Sequence, residues 1–390
     1  MKKVLLVILD GLGDLGIEEL NNKTPLEAGN TPNLDYMAKN GKTGLIQPCM
    51  LSNETYPTSE GAHIGLFGYQ DFFLGRGPYE ALGINMPLNQ GDLALRVNFA
   101  TLKDNLIVDR RANRIKNTSE LIQALSKIEI KGVRFDLEKS DAHRGVLVLR
   151  GTNLSSNITS NDPKKEGNPP LKVKGDKRTA KLLNEYLKKA HTILDNLEFN
   201  KKREFPANYL LVRGAGKFKQ VIPFKEKYGL KPACVAGGGL YKGVARMIGM
   251  DIIEKPSFTA DIDTDLKAKF KATKKALKEY DFVFLHIKGT DVCSHDGKYE
   301  AKKAFIEKID QYFKDFLNIK NLLIIVTGDH STPSKLKEHS CDPVPLLIYG
   351  GKKDKTICFS EKEAQKGSIG TIKGEGLMQT LDKIIKSKYN

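Results

Sequence analysis

The chain has 390 residues, 40% of them hydrophobic and 28% charged, which is enough to bury a core and rules out intrinsic disorder of the whole. Its formal net charge is +16, from 63 basic and 47 acidic residues, so an anionic partner or a solvated lysine-rich surface is expected. No apolar run approaches the ~18 residues needed to span a bilayer. Five cysteines without a CxxC pair argue against a disulfide framework or a thiolate zinc cluster.

Val4–Leu9 is a six-residue apolar run ended by Asp10. It falls below the ~7–15 residues of a signal-peptide core, so it reads as a buried strand of a cytoplasmic protein. Gly11-Leu12-Gly13-Asp14-Leu15-Gly16 matches GxGxxG, but Asn21-Asn22-Lys23-Thr24-Pro25 breaks the long helix that a dinucleotide fold requires. Thr31 caps a predicted helix with Pro32 in its first turn. Gly41-Lys42-Thr43 ends like a P-loop, yet Tyr36 stands where the first glycine belongs. Ser59, between Pro57 and Gly61, has two readings: a nucleophile at a helix N-terminus, or simply the N-cap with Glu60 in the first turn.

The middle of the chain differs in texture. There are 12 arginines, all between Arg76 and Arg246. Arginine binds carboxylate and phosphate bidentately, so this segment is the expected anion binder. Val146–Arg150 and Tyr209–Val212 read as strands, Ser155–Arg178 as a loop and Arg178–Leu197 as a helix. An inserted domain is expected over 75–205, leaving 1–74 and 206–390 as the other domain. Basic residues without a nucleic-acid motif or interleaved aromatics argue against nucleic-acid binding.

Beyond it, Thr264–Tyr280, with Thr264 as N-cap, and Tyr299–Leu317 carry apolar residues at helical spacing. Phe282–Ile287, whose one polar member is His286, and Leu322–Val326 read as buried parallel strands like the first. An acid follows each of the three strands: Asp10, Asp291 and Asp329. Open α/β sheets bind ligands beyond the carboxyl ends of their strands, so one site built from both ends of the chain is expected. Histidines join these acids: Asp291 and His295 stand four apart, Asp329-His330 are adjacent, and His339 follows. Nitrogen and oxygen ligands without thiolate suit Mn²⁺, Mg²⁺ or Zn²⁺. Three Asp and three His exceed one catalytic ion's needs and point to a pair clamping a phosphoryl group.

Several stretches resemble the alkaline phosphatase superfamily: Asp10-Gly11-Leu12-Gly13-Asp14, Lys288-Gly289-Thr290-Asp291 with Ser294-His295-Asp296-Gly297, and Thr327-Gly328-Asp329-His330-Ser331-Thr332-Pro333. Within it, Gly75-Arg76-Gly77-Pro78-Tyr79-Glu80-Ala81, Asn98-Phe99-Ala100-Thr101 and Asp109-Arg110-Arg111-Ala112 resemble the archaeal-type, 2,3-bisphosphoglycerate-independent phosphoglycerate mutases. The resemblance implies an alkaline-phosphatase-like α/β sandwich, a mostly parallel sheet between helices, with an inserted α+β cap domain that closes over the site. It implies two divalent ions, Mn²⁺ foremost with Mg²⁺, Co²⁺ or Zn²⁺ as alternatives, and no 2,3-bisphosphoglycerate. One ion would take Asp10, Ser59, Asp329 and His330, the other Asp291, His295 and His339. Ser59 would be the phosphorylated nucleophile, and Arg96, Arg110, Arg111, Arg144, Arg213, Lys242 and Arg246 would grip a small phosphorylated anion. The alternative keeps the metals but changes the acceptor, giving a phosphohydrolase or a homoserine kinase-like phosphotransferase. The chain departs from the family's pattern at Glu60-Gly61 and at Lys164, which follows Asp162-Pro163.

Overall fold

Residues 3–50 and 55–386 are described by a computed structural model. Their strands in chain order are β1 (Lys3–Leu9), β2 (Gly41–Gln47), β3 (Leu93–Lys103), β4 (Leu106–Asp109), β5 (Arg134–Lys139), β6 (Arg144–Arg150), β7 (Tyr209–Lys217), β8 (Pro232–Val235), β9 (Asp251–Ile253), β10 (Phe282–Ile287), β11 (Leu322–Thr327), β12 (Val344–Tyr349) and β13 (Thr371–Lys373). They divide between two compact units, Met1–Phe73 with Ile222–Asn390, and Leu74–Val221.

The first unit holds an eight-stranded sheet in the order β13-β2-β12-β11-β1-β10-β8-β9. The three apolar runs become its central strands. β1 pairs in parallel with β10 on one side and β11 on the other, and every residue of β10 and β11 is buried. A strand covered on both faces needs apolar side chains at successive positions, which is why these runs do not alternate. Helices supply the cover, with Phe270, Phe305, Ile309 and Phe313, and Phe316 just beyond the last of them, packing against Leu5, Val7, Leu285 and Ile324 in one core. The parallel register brings the carboxyl ends of β1, β10 and β11 level, so Asp10, Asp291 and Asp329 emerge at one edge of the sheet.

The second unit is an antiparallel sheet, β4-β3-β6-β5 with β7 on the free side of β3, packed against the helix Lys177–Asn196. Leu183, Tyr186, Leu187 and Leu194 of that helix share its core with Leu95, Val97, Leu147 and Val212. The boundary expected at 205 therefore moves to 221. β7 follows 205 and pairs with β3 from Tyr209 to Lys217, so it cannot leave this unit.

Several helix ends also shift. The cap of the Leu266–Ala276 helix is Asp265, whose carboxylate accepts from Ala268 N–H at 2.9 Å, rather than Thr264. The next helix ends at Phe313, not Leu317. Thr31 stands at the N-cap position without making a side-chain capping bond. The Asp310 carboxylate accepts instead from the Asn33 and Leu34 amides, at 3.2 and 2.7 Å.

Candidate metal centre

Asp10, Asp329 and His330 are fully buried, and their ligand atoms lie within 4.8 Å of one another. Asp291, His330 and His339 form a second group of the same kind. His295 is adjacent, its Nε2 3.4 Å from Asp291 Oδ1, as i,i+4 placement on the helix Gly289–His295 requires. His330 faces both groups: its Nε2 lies 3.7 Å from Asp10 Oδ1 and 3.2 Å from Asp329 Oδ2, and its ring stacks on His339 at 3.7 Å.

Ser59 lies beside the first group. Its Oγ is 3.3 Å from His330 Nε2. The N-cap of the helix Ser59–Leu66 is Thr58, whose hydroxyl accepts from Gly61 N–H at 3.3 Å. Ser59 is thus the first helical residue and not the cap, which leaves its hydroxyl for chemistry.

The proton positions in this donor set leave it suited to cations. Thr332 Oγ1 donates to Asp291 Oδ1 at 2.8 Å, so it accepts from His330 Nδ1–H at 3.1 Å. His295 Nδ1–H donates to Lys337 O at 2.8 Å and His339 Nδ1–H to Pro57 O at 2.7 Å. In the neutral ring the other nitrogen then carries a lone pair. All three Nε2 lone pairs look toward carboxylate oxygens, an arrangement that is repulsive unless a cation lies between. Burial pushes the pKa of His330 and His339 down, which favours the neutral rings that a cation requires of its ligands. Asp329 Oδ2 is buried with no hydrogen-bond partner, and burial and the Asp10 charge push this carboxyl up to about 7.

Four residues not picked out from the sequence complete the centre. His286 Nε2 donates to Asp10 Oδ2 at 3.0 Å, and burial pushes its own pKa down to about 3. The Tyr241 ring stacks on it at 3.5 Å. Lys288 Nζ lies 3.4 Å from both Asp10 oxygens and 2.7 Å from Asp291 Oδ2, touching both ligand groups. Burial would raise the Asp10 pKa, but Lys288 and the His286 bond outweigh it and hold it well below the ordinary value. His63 Nδ1 donates to Ser59 O at 2.7 Å and lies 3.4 Å from Asp329 Oδ2. His286 had a signal, as the one polar residue in an otherwise apolar strand.

The anion-binding candidates divide between the units. In the second, Arg110 grips Asp162 through Nε and Nη2 at 2.9 and 2.7 Å, and Arg213 Nη1 lies 3.5 Å from the same carboxylate. Arg96 is partly buried, its Nε fully so, without a hydrogen-bond partner and 3.9 Å from Glu80. Burial, Arg76, Arg213 and Arg144 pull its pKa down to about 9 against the pull of Glu80. Arg144 and Arg111 also press on His143, which burial and these charges lower to about 4. Arg76 and Arg96 thus stand at Glu80, Arg110 and Arg213 at Asp162, and Arg144, 3.9 Å from Asp141, adds its charge to theirs, a cationic excess suited to an anionic ligand. In the first unit, Lys242 and Arg246 share Glu254, at 2.6 and 3.7 Å.

Residues 2–383 match the metalloenzyme superfamily. The chain is 45% identical to the 2,3-bisphosphoglycerate-independent phosphoglycerate mutase of Methanococcus aeolicus over 97% of each chain. It is 44% identical to that of Pyrococcus abyssi over 97% of this chain and 96% of that one. Among solved structures, a Pyrococcus horikoshii protein matches with a TM-score of 0.86 at 36% identity, covering 99% of this chain and 97% of that one. The cofactor-independent phosphoglycerate mutase of Thermoplasma acidophilum matches with a TM-score of 0.74 at 35% identity, covering 98% and 99%. On this footing the chain belongs to the metalloenzyme superfamily and, within it, to the family of 2,3-bisphosphoglycerate-independent phosphoglycerate mutases.

Proposed function

We propose that the chain interconverts 3-phosphoglycerate and 2-phosphoglycerate through a phosphoserine at Ser59, without 2,3-bisphosphoglycerate, in the cytoplasm. The observation that carries the reading is Ser59 Oγ, freed from capping by Thr58 and 3.3 Å from His330 Nε2 beside paired carboxylate and imidazole donors. Asp10, Ser59, Asp329 and His330 would hold one divalent ion, and Asp291, His295 and His339 the other, with Mn²⁺ the first ion to test among those that nitrogen and oxygen ligands accept. When bound, the ions supply positive charge that favours ionisation of a hydroxyl and neutralises a transferring phosphoryl group.

The chain's own residues do the rest. Ser59 Oγ forms a bond to phosphorus as the bond from phosphorus to O3 of glycerate breaks, and O3 takes up a proton equivalent to the one Ser59 gives up. The second half runs in reverse with O2 of glycerate as the acceptor. Lys288, beside Asp10 and Asp291, offsets their charge. Arg96, Arg110, Arg111, Arg144 and Arg213 are the candidates to bind the substrate's carboxylate, and Lys242 and Arg246 those for its phosphate.

Incubating the protein with Mn²⁺ and 3-phosphoglycerate, and following ³¹P NMR, tests this. The expected product is 2-phosphoglycerate, lost on adding EDTA. Free phosphate in its place would make the protein a phosphohydrolase. Ser59→Ala should retain Mn²⁺ binding at Asp291, His295 and His339 yet lose turnover by at least ~10³-fold. Turnover that survives Ser59→Ala would remove the phosphoserine.

A further inference from the structure

Among the described residues, the strands that bound the two sheets are short or covered at every edge but one. β9 and β13, which end the larger sheet, have three residues each. In the smaller sheet β4 is covered by the bridge from Ile107 to Asn168, and β7 by Ser160 and Asn161, which donate to Val212 O. β5 is the exception. It has six residues, pairs with β6 in unbroken register, and contains no proline or bulge. Such an edge is a template for another strand unless something blunts it.

The outward-facing groups follow from the hairpin. Ser140 N–H donates to Arg144 O, so Arg134, Asp136 and Glu138 turn their amides and carbonyls toward β6. Those of Phe135 and Leu137 point away, and the described residues supply no backbone partner for them. A cavity of about 1060 Å³ runs along this edge. Met86 lines it from the core on one face of the sheet and Leu125 from the core on the other, so the groove straddles the strand edge.

We propose that this groove is a self-association surface in which β5 of a second copy pairs antiparallel with β5, Asp136 lying on the two-fold axis. In that register Phe135 faces Leu137 of the second copy, and the reverse. Their outward N–H and C=O groups form four hydrogen bonds. Arg134, which is 75% exposed, meets the exposed Glu138 of the second copy at both ends. The two Asp136 carboxylates on the axis are flanked by Arg134 at 2.6 Å and Arg150 at 2.7 Å. Other registers fare worse. A shift by two residues toward the C-terminus sets Asp136 against Glu138. A shift toward the N-terminus needs the Val133 amide, which already donates to Ile130 O. Charge balance also selects this strand. On a chain of net charge +16, β5 carries Arg134 and Lys139 against Asp136 and Glu138 and is locally neutral, so like-charge repulsion is least here.

Light scattering after size exclusion, on the full Mn²⁺-loaded chain at ~0.15 M salt, should give twice the monomer mass of 43.4 kDa. Leu137→Pro removes an outward amide and leaves the β5–β6 ladder its bonds, so a folded monomer is expected. Arg134→Glu should raise the dissociation constant at least ~10-fold, and Arg134→Glu with Glu138→Arg should restore it, because the swapped pair meets again across the axis. A monomeric wild type overturns the proposal. So does a dimer indifferent to Leu137→Pro, or a charge swap that fails to rescue.

Discussion

Thr332 sets the tautomer of the central ligand. Its hydroxyl accepts a hydrogen bond from His330 Nδ1–H and donates one to Asp291 Oδ1, so one side chain orients a member of each candidate group. Thr332→Val keeps the shape and removes both bonds. Mn²⁺ affinity should fall ~10-fold or more by titration calorimetry, with the fold retained by circular dichroism. Asp10, Asp291, Asp329 and the histidines near them stood out as candidates because acids and histidines in the segments that follow apolar strands are a local pattern. Thr332, Lys288 and His63 were not, since their roles depend on contacts as distant in sequence as Lys288 with Asp10 and His63 with Asp329. His143 makes the pH argument. Its folded pKa, about 4, lies below the ordinary 6.5, so the unfolded chain binds more protons between those values. The stability this contributes is full above pH 6.5 and is lost as pH falls toward 4. In EDTA, His143→Asn should lose less stability than wild type between pH 7 and 4.5. The difference should be about 1 kcal/mol by urea denaturation, after allowance for solvent screening.

At the scale of elements, the loops after β1 and β11 carry Asp10, Asp329 and His330, and their shape depends on residues outside the candidate ligand set. Gly11 has φ +63°, and a Cβ there would lie 2.6 Å from Thr332 Oγ1 and 2.8 Å from Asp291 Oδ1. Gly11→Ala should therefore cost stability and Mn²⁺ affinity together, read from thermal unfolding and calorimetry on one preparation. Lys302 joins the same loops from behind. Fully buried, it donates to Asp14 at 2.8 Å, Gly13 O at 3.3 Å and Thr332 O at 3.2 Å, while Asp14 accepts from the Ser334 amide and hydroxyl. Lys302→Met leaves a buried carboxylate without its cation. It should destabilise by about 3–5 kcal/mol, and adding Asp14→Asn should recover part of that in urea unfolding. The sequence marks Asp14 only as part of a glycine-rich motif, because a lysine amid a helix of lysines gives no sign of being buried. Helix caps were misread for a similar reason. Thr58 and Ser59 are both capping residues by type, as are Thr264 and Asp265, and only the backbone decides which one faces the free amides.

At the scale of the molecule, two separate cores give two sources of stability. One packs around β1, β10 and β11, and the other around β3, β6 and the helix Lys177–Asn196. Every metal-ligand candidate lies in the first unit, while most of the arginine cluster lies in the second. The arginine distribution along the sequence made this division visible. The end of the insertion was misplaced because β7 joins its sheet by long-range pairing with β3, which no local pattern records. The division has a thermodynamic consequence. Without ions, Asp10, Asp291 and Asp329 face three imidazole lone pairs, and that repulsion falls on the first unit alone. An ion that binds only the folded form stabilises by about 2.7 kcal/mol at a hundred times its dissociation constant. Calorimetry with and without Mn²⁺ should thus show one transition moving upward by several degrees and a second that stays in place. The second should instead respond to the pair made by Arg150 and Asp92, which is internal to that unit. Arg150→Met should lower its midpoint and leave the Mn²⁺-dependent shift of the first unchanged. If both transitions rise together with Mn²⁺, the two units unfold as one, and the separation of their cores has no thermodynamic counterpart.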